Sequence, residues 1–321
     1  MSQDETCFDP LSVIVLAGGS SAECEVSIDS GRCVAEALRG RGHAVELFDP
    51  AEQLLSSLRG RTSIVLPMLH GTGAEDGTLQ EQLTELGLTW VGSSAAASRL
   101  TFDKIATRKA LQNAGLPVAD GIAIDVGMSP DVVRREAGGI GFPLVVKPAE
   151  QGSSVGVSIV RSESELDQAL ASAFHWGPRA VIEEFVAGRE ITVPVVDGRV
   201  LPLVEILPAR DWYDYDAKYS DDRTGYRVHP SGLPPGIEAL VTQACDVCGV
   251  TGISRTDLRV TSAGRCCILE INTIPGMTSH SLVPMSAKAM GLSLGALCEQ
   301  VIRLVLAANV DQRKRADRSA A

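Results

Sequence analysis

Arg255-Thr-Asp257 and Glu270-Ile-Asn272 read as parts of two successive strands, with the turn material Thr261-Ser-Ala-Gly264 between them. Side chains alternate across a strand, so Arg255 and Asp257 share one face, and Glu270 and Asn272 share a face of the next. The turn residues between them predict a hairpin that brings the two faces together. Leu258, Val260, Leu269 and Ile271 fall on the opposite side, where an apolar set is expected to pack on a core. The polar side then groups three oxygen ligands beside a fixed cation. Hard oxygen donors suit Mg²⁺, which takes one or two carboxylates and completes its shell with phosphates and water. A solvated face with an ion pair has the same spacing, so the segments around the hairpin must decide.

Outward from it, Lys147-Pro-Ala-Glu-Gln-Gly152-Ser153-Ser154-Val-Gly156 joins two predicted strands, Pro143–Lys147 and Val155–Val160. Backbone amides and hydroxyls in such a loop can cradle phosphate, with Lys147 adding charge; a plain turn has the same composition. It is not a Walker A loop, whose lysine is followed by Ser or Thr at a helix start. Near the N-terminus, Gly18-Gly19-Ser-Ser-Ala-Glu23-Cys-Glu25-Val-Ser27 follows a first strand, where a dinucleotide-binding turn would stand. G-x-G-x-x-G is absent, and Glu23 at a helix start would repel a pyrophosphate. The helix N-terminus favours an anion there, which suits Glu23 either as the acceptor for a substrate ammonium or as a simple capping acid. Leu69-His70-Gly71-Thr-Gly73-Ala-Glu75-Asp76-Gly77 repeats the pattern after a third strand. His70 reads as a core histidine or, at a strand end of an open sheet, as a site residue. Tyr213-Asp-Tyr215-Asp-Ala-Lys218-Tyr219 is too polar and aromatic for a core strand; it suits a lid that excludes water, or a surface loop.

The first 95 or so residues alternate strands (Ser12–Ala17, His43–Phe48, Ser63–Leu69, Thr89–Val91) with helices (Val26–Arg39, Gln53–Leu58, Gly77–Leu86), which predicts a parallel sheet. Small polar residues at Ser93–Ser98 mark a boundary, followed by a helix through Lys104–Asn113. The strand pair flanking the glycine–serine loop implies an antiparallel sheet, with a helix at Glu163–Ala173 and a strand at Ala180–Phe185. A β-rich region then ends in helices at Ser286–Met290 and Leu294–Ala308. The expected organisation is three α/β or α+β domains: 1–95, 96–184 and 185–321.

A formal charge of −11 with no basic stripe excludes a nucleic-acid surface. The one basic run, Arg313-Lys314-Arg315, lies in a polar tail that is expected to fray. No uncharged apolar run reaches the ~18 residues a membrane span needs, so no membrane partner is expected. The first ten residues are acidic and polar, unlike a signal peptide, and the expectation is a cytoplasmic protein. Eight cysteines within apolar-periodic segments fit a reducing compartment. Cys245-Asp-Val-Cys248 has metal-ligand spacing but no second pair nearby, and on a predicted helix it gives two small apolar residues.

The ordered set LAGGSSAECEVS (16–27), LHGTGAEDG (69–77), KPAEQGSSVGVS (147–158), YDYDAKY (213–219), SRTD (254–257) and EINTIPGMTSHSLVPM (270–285) resembles the D-alanine–D-alanine ligases over about residues 11–305. The resemblance implies an ATP-grasp fold, a parallel α/β domain followed by two α+β domains that clasp ATP. It implies a ligase that uses ATP and Mg²⁺ (two ions, with Mn²⁺ as a substitute and a monovalent cation such as K⁺ as a further candidate) to make D-alanyl-D-alanine for peptidoglycan. D-alanine and ATP would be its partners, and a homodimer its assembly. On matching residues, Lys104 and Lys147 would contact phosphates, the Ser153–Ser154 loop would close over them, and Lys218 would add an ATP contact. Glu183, Glu184, Phe185 and Val186 would hold adenine and Glu190 the ribose, while Asp257, Glu270 and Asn272 would ligate the metal ions. Glu23 would take the first substrate's ammonium, with His70 on the same side, and would form a triad with Ser153 and Tyr219. Ser281 and Leu282 would bind the second carboxylate, and Arg255 with the Gly276 amide the oxyanion. Relatives that use D-lactate lack the tyrosine-bearing lid segment, so Tyr219 favours an amine; D-serine fits the motifs equally. Other readings are an ATP-grasp ligase with other substrates or a resistance or biosynthetic paralogue, the nucleotide half of a dehydrogenase, and a catalytically silent ATP-binding regulator.

Overall fold

The computed structural model describes residues 9–208 and 223–320. Three sheets organise them, and each follows from its local pattern. The apolar strands β1 (Ser12–Leu16), β2 (Ala44–Phe48) and β3 (Ile64–Pro67) lie parallel in the order β2-β1-β3. Helix α1 (Cys24–Gly40) returns the chain from β1 to β2, and α2 (Thr78–Glu85) follows β3. The fourth strand expected at 89–91 is a single parallel bridge from Trp90 to Val65. The chain leaves the sheet there because Gly92 and Ser93 hydrogen-bond instead to Thr251.

The small polar stretch expected to be a boundary opens a helix, α3 (Ala95–Phe102), because the Ser94 hydroxyl caps the Ala97 amide at 3.2 Å. Asp103 ends α3 and caps α4 (Lys104–Asn113), accepting from the Ile105 and Ala106 amides. The second sheet is antiparallel, β4 (Gly121–Asp125), β7 (Arg179–Glu184), β5 (Leu144–Pro148) and β6 (Ser158–Val160) in that order. Its apolar face packs against α5 (Pro130–Ile140) and α6 (Leu166–Phe174) through Ile124, Val133, Val146, Leu166 and Ile182.

The third sheet is also antiparallel. It comprises β8 (Arg189–Val196), β9 (Arg199–Val200), β10 (Val204–Leu207), β11 (Gly225–Val228), β12 (Ile253–Val260) and β13 (Cys266–Asn272), in the order β11-β10-β8-β12-β13 with β9 on β8. The hairpin of β12 and β13 forms as expected, with Arg255 opposite Asn272 and Asp257 opposite Glu270. One residue departs from strict alternation: after Asp257 the partner of Leu258 is Ile268, so Leu269 is an extra residue in a β-bulge. Ile268, not Leu269, therefore joins Leu258, Val260 and Ile271 in the core. Helix α7 (Ile237–Cys248) covers that core, and Cys245 and Cys248 pack inside it as free thiols. Burial pushes the Cys248 thiol up to about 11, which suits packing and not metal binding.

Of the two closing helices, α8 (Leu282–Ala289) starts earlier than its apolar pattern predicts, and α9 (Leu294–Ala320) starts at the expected residue and runs longer. Residues 309–320 contain neither Gly nor Pro, so nothing in them stops α9. Leu297, Val301 and Ile302 of α9 share a core with Val34 and Leu38 of α1 and with Val13 and Val15 of β1. The Glu299 carboxylate, 3% exposed, ties the two ends together by accepting from Arg41 beyond α1 and from Arg303. Among the described residues no single helix is long and apolar enough to cross a membrane.

Candidate active site

Two clefts meet where the three sheets approach one another, and Lys104, Gln151 and Glu270 belong to the walls of both. Lys104 opens α4 with its amide donating to the Ala149 carbonyl and its ammonium donating to the Gln151 carbonyl, so the helix start is fastened to the glycine–serine loop. The same ammonium stands 3.7 Å from Glu270 Oε2.

The first cleft is polar. Glu23 at the start of α1, 8% exposed, His70 after β3, Arg255 of β12 and the Gly276 backbone line it together with Gly152 and Ser153 of the loop. The Ser153 hydroxyl donates to Glu23 Oε1, joining the first sheet's loop to the second sheet's loop. Glycines frame the Glu23 carboxylate: a Cβ at Gly71 or at Gly152 would lie 3.0 Å from Glu23 Oε2. Ser153 and Ser154 hold φ of 50° and 59°, a left-handed conformation that L residues rarely adopt. Such backbone strain clusters at ligand-binding loops. Burial, partly offset by the Glu23 charge and a hydrogen bond to the Ile274 backbone, lowers the His70 imidazole, and its Nε2 lies buried with no protein partner.

The second cleft is mostly apolar at one end, with Val145, Val157, Ile159, Phe185, Val186 and the bulged Leu269 on its walls. A bulge here turns a side chain out of the core and into the cleft. At the other end are Lys147, Glu183, Ser154 and Asp257. Glu183 is 4% exposed and accepts from Lys147 Nζ at 2.5 Å and from Arg108 Nη1 at 3.0 Å. Glu184 turns toward Arg265 at 2.7 Å and the Asp120 amide, and those bonds hold its carboxyl below the usual range. Glu190 pairs with Arg259 at 2.8 Å, and the Arg259 guanidinium lies 5.9 Å from the Phe185 ring centroid.

Asp257, Glu270 and Asn272 stand side by side on the hairpin's polar face. Asp257, 6% exposed, accepts from Thr192 Oγ1 at 2.6 Å and pairs with Arg255 Nη2 at 3.2 Å. The Asn272 side-chain oxygen accepts from the Ile274 amide at 2.9 Å. Two carboxylates on directly opposed residues, both on the cleft wall and followed by an amide oxygen, form an all-oxygen donor set that fits Mg²⁺.

Ser281 and Leu282 stand apart from the cleft walls. The Ser281 hydroxyl accepts from the Thr278 amide at 3.0 Å behind Gly276, and the Leu282 side chain is buried with Val204 and Ile206. Lys218 and Tyr219 lie outside the described residues. The expectations drawn from the sequence omitted Glu75, Arg108, Gln151 and Arg259. Glu75 sits inside a quoted motif, but only its 7% exposure on the cleft wall distinguishes it from its neighbour Asp76. Arg259 was legible by alternation, two residues beyond Asp257 on the same face.

Residues 110–303 match the family model described as D-ala D-ala ligase C-terminus. The chain is 43% identical over 295 residues to the D-alanine–D-alanine ligase of Laribacter hongkongensis, covering 90% of this chain and 94% of that one. It is 42% identical over 298 residues to D-alanine–D-alanine ligase B of Chromobacterium violaceum, covering 91% and 97%. Among solved structures, the D-alanine–D-alanine ligase of Bacillus anthracis complexed with ATP superposes with a TM-score of 0.81 at 31% identity, over 95% of this chain and 100% of that one.

Proposed function

This chain belongs to the D-alanine–D-alanine ligase family, with the ATP-grasp fold and an ATP-dependent reaction that joins two D-alanines for peptidoglycan synthesis, and from that premise we propose how its residues divide the work. The observation that carries the assignment is the shared wall. Lys104, Gln151 and Glu270 stand where the polar cleft meets the apolar one, so an amino acid in the first and a triphosphate in the second would meet end to end.

A carboxylate is a poor electrophile. Transfer of the terminal phosphoryl group to the first D-alanine makes an acyl phosphate and releases ADP. The second amine then attacks the carbonyl, a C–N bond forms as the nitrogen loses a proton, and the bond from that carbon to the phosphoryl-bearing oxygen breaks, so that inorganic phosphate leaves with the former carboxylate oxygen. Glu23 receives the first ammonium in its glycine frame, with His70 beside it. Phe185, Val186 and the backbone of Glu183 and Glu184 hold adenine, and Glu190 the ribose. Lys104, Lys147, Lys218 and the Ser153–Ser154 loop bind the phosphates, where fixed cations offset developing charge. Asp257, Glu270 and Asn272 would hold two Mg²⁺ ions, or Mn²⁺ in their place, to supply further neutralisation at the phosphates. Arg255 and the Gly276 amide stabilise the tetrahedral oxyanion. The Ser281 hydroxyl and Leu282 amide take the second carboxylate, which requires the 276–282 turn to open toward the cleft. Tyr219 joins Glu23 and Ser153.

We further propose three units, 1–95, 96–184 and 185–321, a homodimer, a cytoplasmic location, and activation by a monovalent cation such as K⁺. Phosphate release from ATP, with D-alanine, D-serine, D-lactate and L-alanine offered singly and in pairs, tests the substrate roles when products are identified by mass. Release with D-alanine alone, yielding its dipeptide, is expected. Omitting Mg²⁺ or K⁺ from the same assay tests the ions, and release that survives chelation would remove the metal roles.

A further inference from the structure

Glu183 is a buried carboxylate with two cations. Lys147 Nζ lies 2.5 Å from one oxygen and Arg108 Nη1 lies 3.0 Å from the other, and none of the three side chains is more than a tenth exposed. Lys147 and Glu183 are on the wall of the apolar cleft, whereas Arg108 stands behind it. Arg108 is held there by α4, one helical turn beyond Lys104, so the two basic side chains share the face turned toward the clefts. Charge decides what this arrangement does. A Lys147–Glu183 pair alone is neutral and offers an incoming triphosphate little attraction. With Arg108 added, two cations face one carboxylate, and the triad keeps a net positive charge beside the phosphate loop.

We infer that Arg108 is a positioning residue for the nucleotide: by serving as the second counter-ion of Glu183 it leaves the Lys147 ammonium available to the phosphates. The inference rests on the reading of Lys147 as a phosphate contact. An ammonium carries three donors, and Lys147 needs to surrender at most one of them to Glu183 while the planar guanidinium holds the other oxygen. Without Arg108, the buried carboxylate has one partner, and separating that partner from it on ATP binding leaves a buried charge unpaired, which is strongly unfavourable.

Steady-state kinetics on Arg108→Met, Arg108→Lys, Lys147→Met, Glu183→Gln and the double variant Arg108→Met/Glu183→Gln test this. Arg108→Met is expected to raise the KM for ATP by about tenfold or more, with the KM for D-alanine unchanged within about twofold. Arg108→Lys, which keeps the charge, should recover most of that loss. In the Glu183→Gln background, where no carboxylate competes for Lys147, adding Arg108→Met should cost less than about twofold. The double variant also covers a failure of Arg108→Met to fold, because it leaves no buried carboxylate short of a partner. An equal ATP effect of Arg108→Met with and without Glu183 would overturn the inference, since Arg108 would then act by packing. A silent Arg108→Met beside a damaging Lys147→Met would overturn it while leaving the Lys147 assignment intact. A silent Lys147→Met would instead bring down the phosphate role on which it rests.

Discussion

Glu75 is buried on the polar cleft wall, and its carboxyl is pushed up to about 8, first by burial and then by the Glu23 charge, against a bond from the Gly71 amide. The native state therefore holds a proton that the unfolded chain releases between its ordinary value of 4.5 and about 8. Native stability falls as pH rises through that window and levels off above it. Glu75→Gln should abolish that part of the slope, as read by urea unfolding across the window; parallel wild-type and variant profiles would refute the protonated state. At Arg255 the expected effect is on chemistry. Arg255→Ala should lower kcat by roughly 10²–10³, as removal of an oxyanion donor does, while nucleotide binding stays nearly unchanged. Loss of nucleotide binding with intact turnover per bound complex would remove the assigned role. These two residues differ in legibility. Arg255 announced itself by sharing a strand face with Asp257, whereas nothing in HGTGAEDG says that Glu75, and not Asp76, is the acid turned inward.

The bulge in β13 shows why periodicity alone misplaces a side chain. Alternation from Glu270 assigns Leu269 to the core, but a single inserted residue reverses its direction without disturbing the pairing on either side. Leu269→Ala should therefore behave as a cleft mutation. The lost contact is worth on the order of 1 kcal/mol, about fivefold in the KM for ATP, with little change in melting temperature. Leu258→Ala, on the opposite face, should instead cost about 2–5 kcal/mol of stability. A large drop in melting temperature for Leu269→Ala would mean that it packs on the core after all. The other elements sort by the same logic. The parallel sheet and the β5–loop–β6 pair were legible because strong apolar runs bound them. The shortening of the strand at 89–91 to a bridge was not, because the next residues, Gly92 and Ser93, hydrogen-bond to Thr251, far along the chain. Strand β4 and helix α5 went unread although Pro130 marks the helix start.

Across the whole molecule, the two ends of the chain are held by a small ionic knot that no local pattern reveals. Although burial works the other way, hydrogen bonds from Arg41 and Arg303 keep the Glu299 carboxyl below the usual range. Glu299→Ala should cost about 3 kcal/mol, near the lower end for breaking a buried pair, because Arg303 still reaches water. The stabilisation is present above the ordinary carboxylate value and is lost as pH falls through the depressed one. Acid titration of melting temperature, with Glu299→Gln alongside, would show it; equal acid sensitivity in both proteins would count against the knot. The Ser153 hydroxyl has a wider consequence, since it leaves a loop of the second sheet to end on a carboxylate presented by the first. A hydroxyl has one proton to give, so it cannot turn to a nucleotide without releasing its hold on Glu23. A phosphate that drew this proton to itself would leave the Glu23 carboxylate without its donor, so a ligand in one cleft and the acid of the other would compete for a single hydrogen.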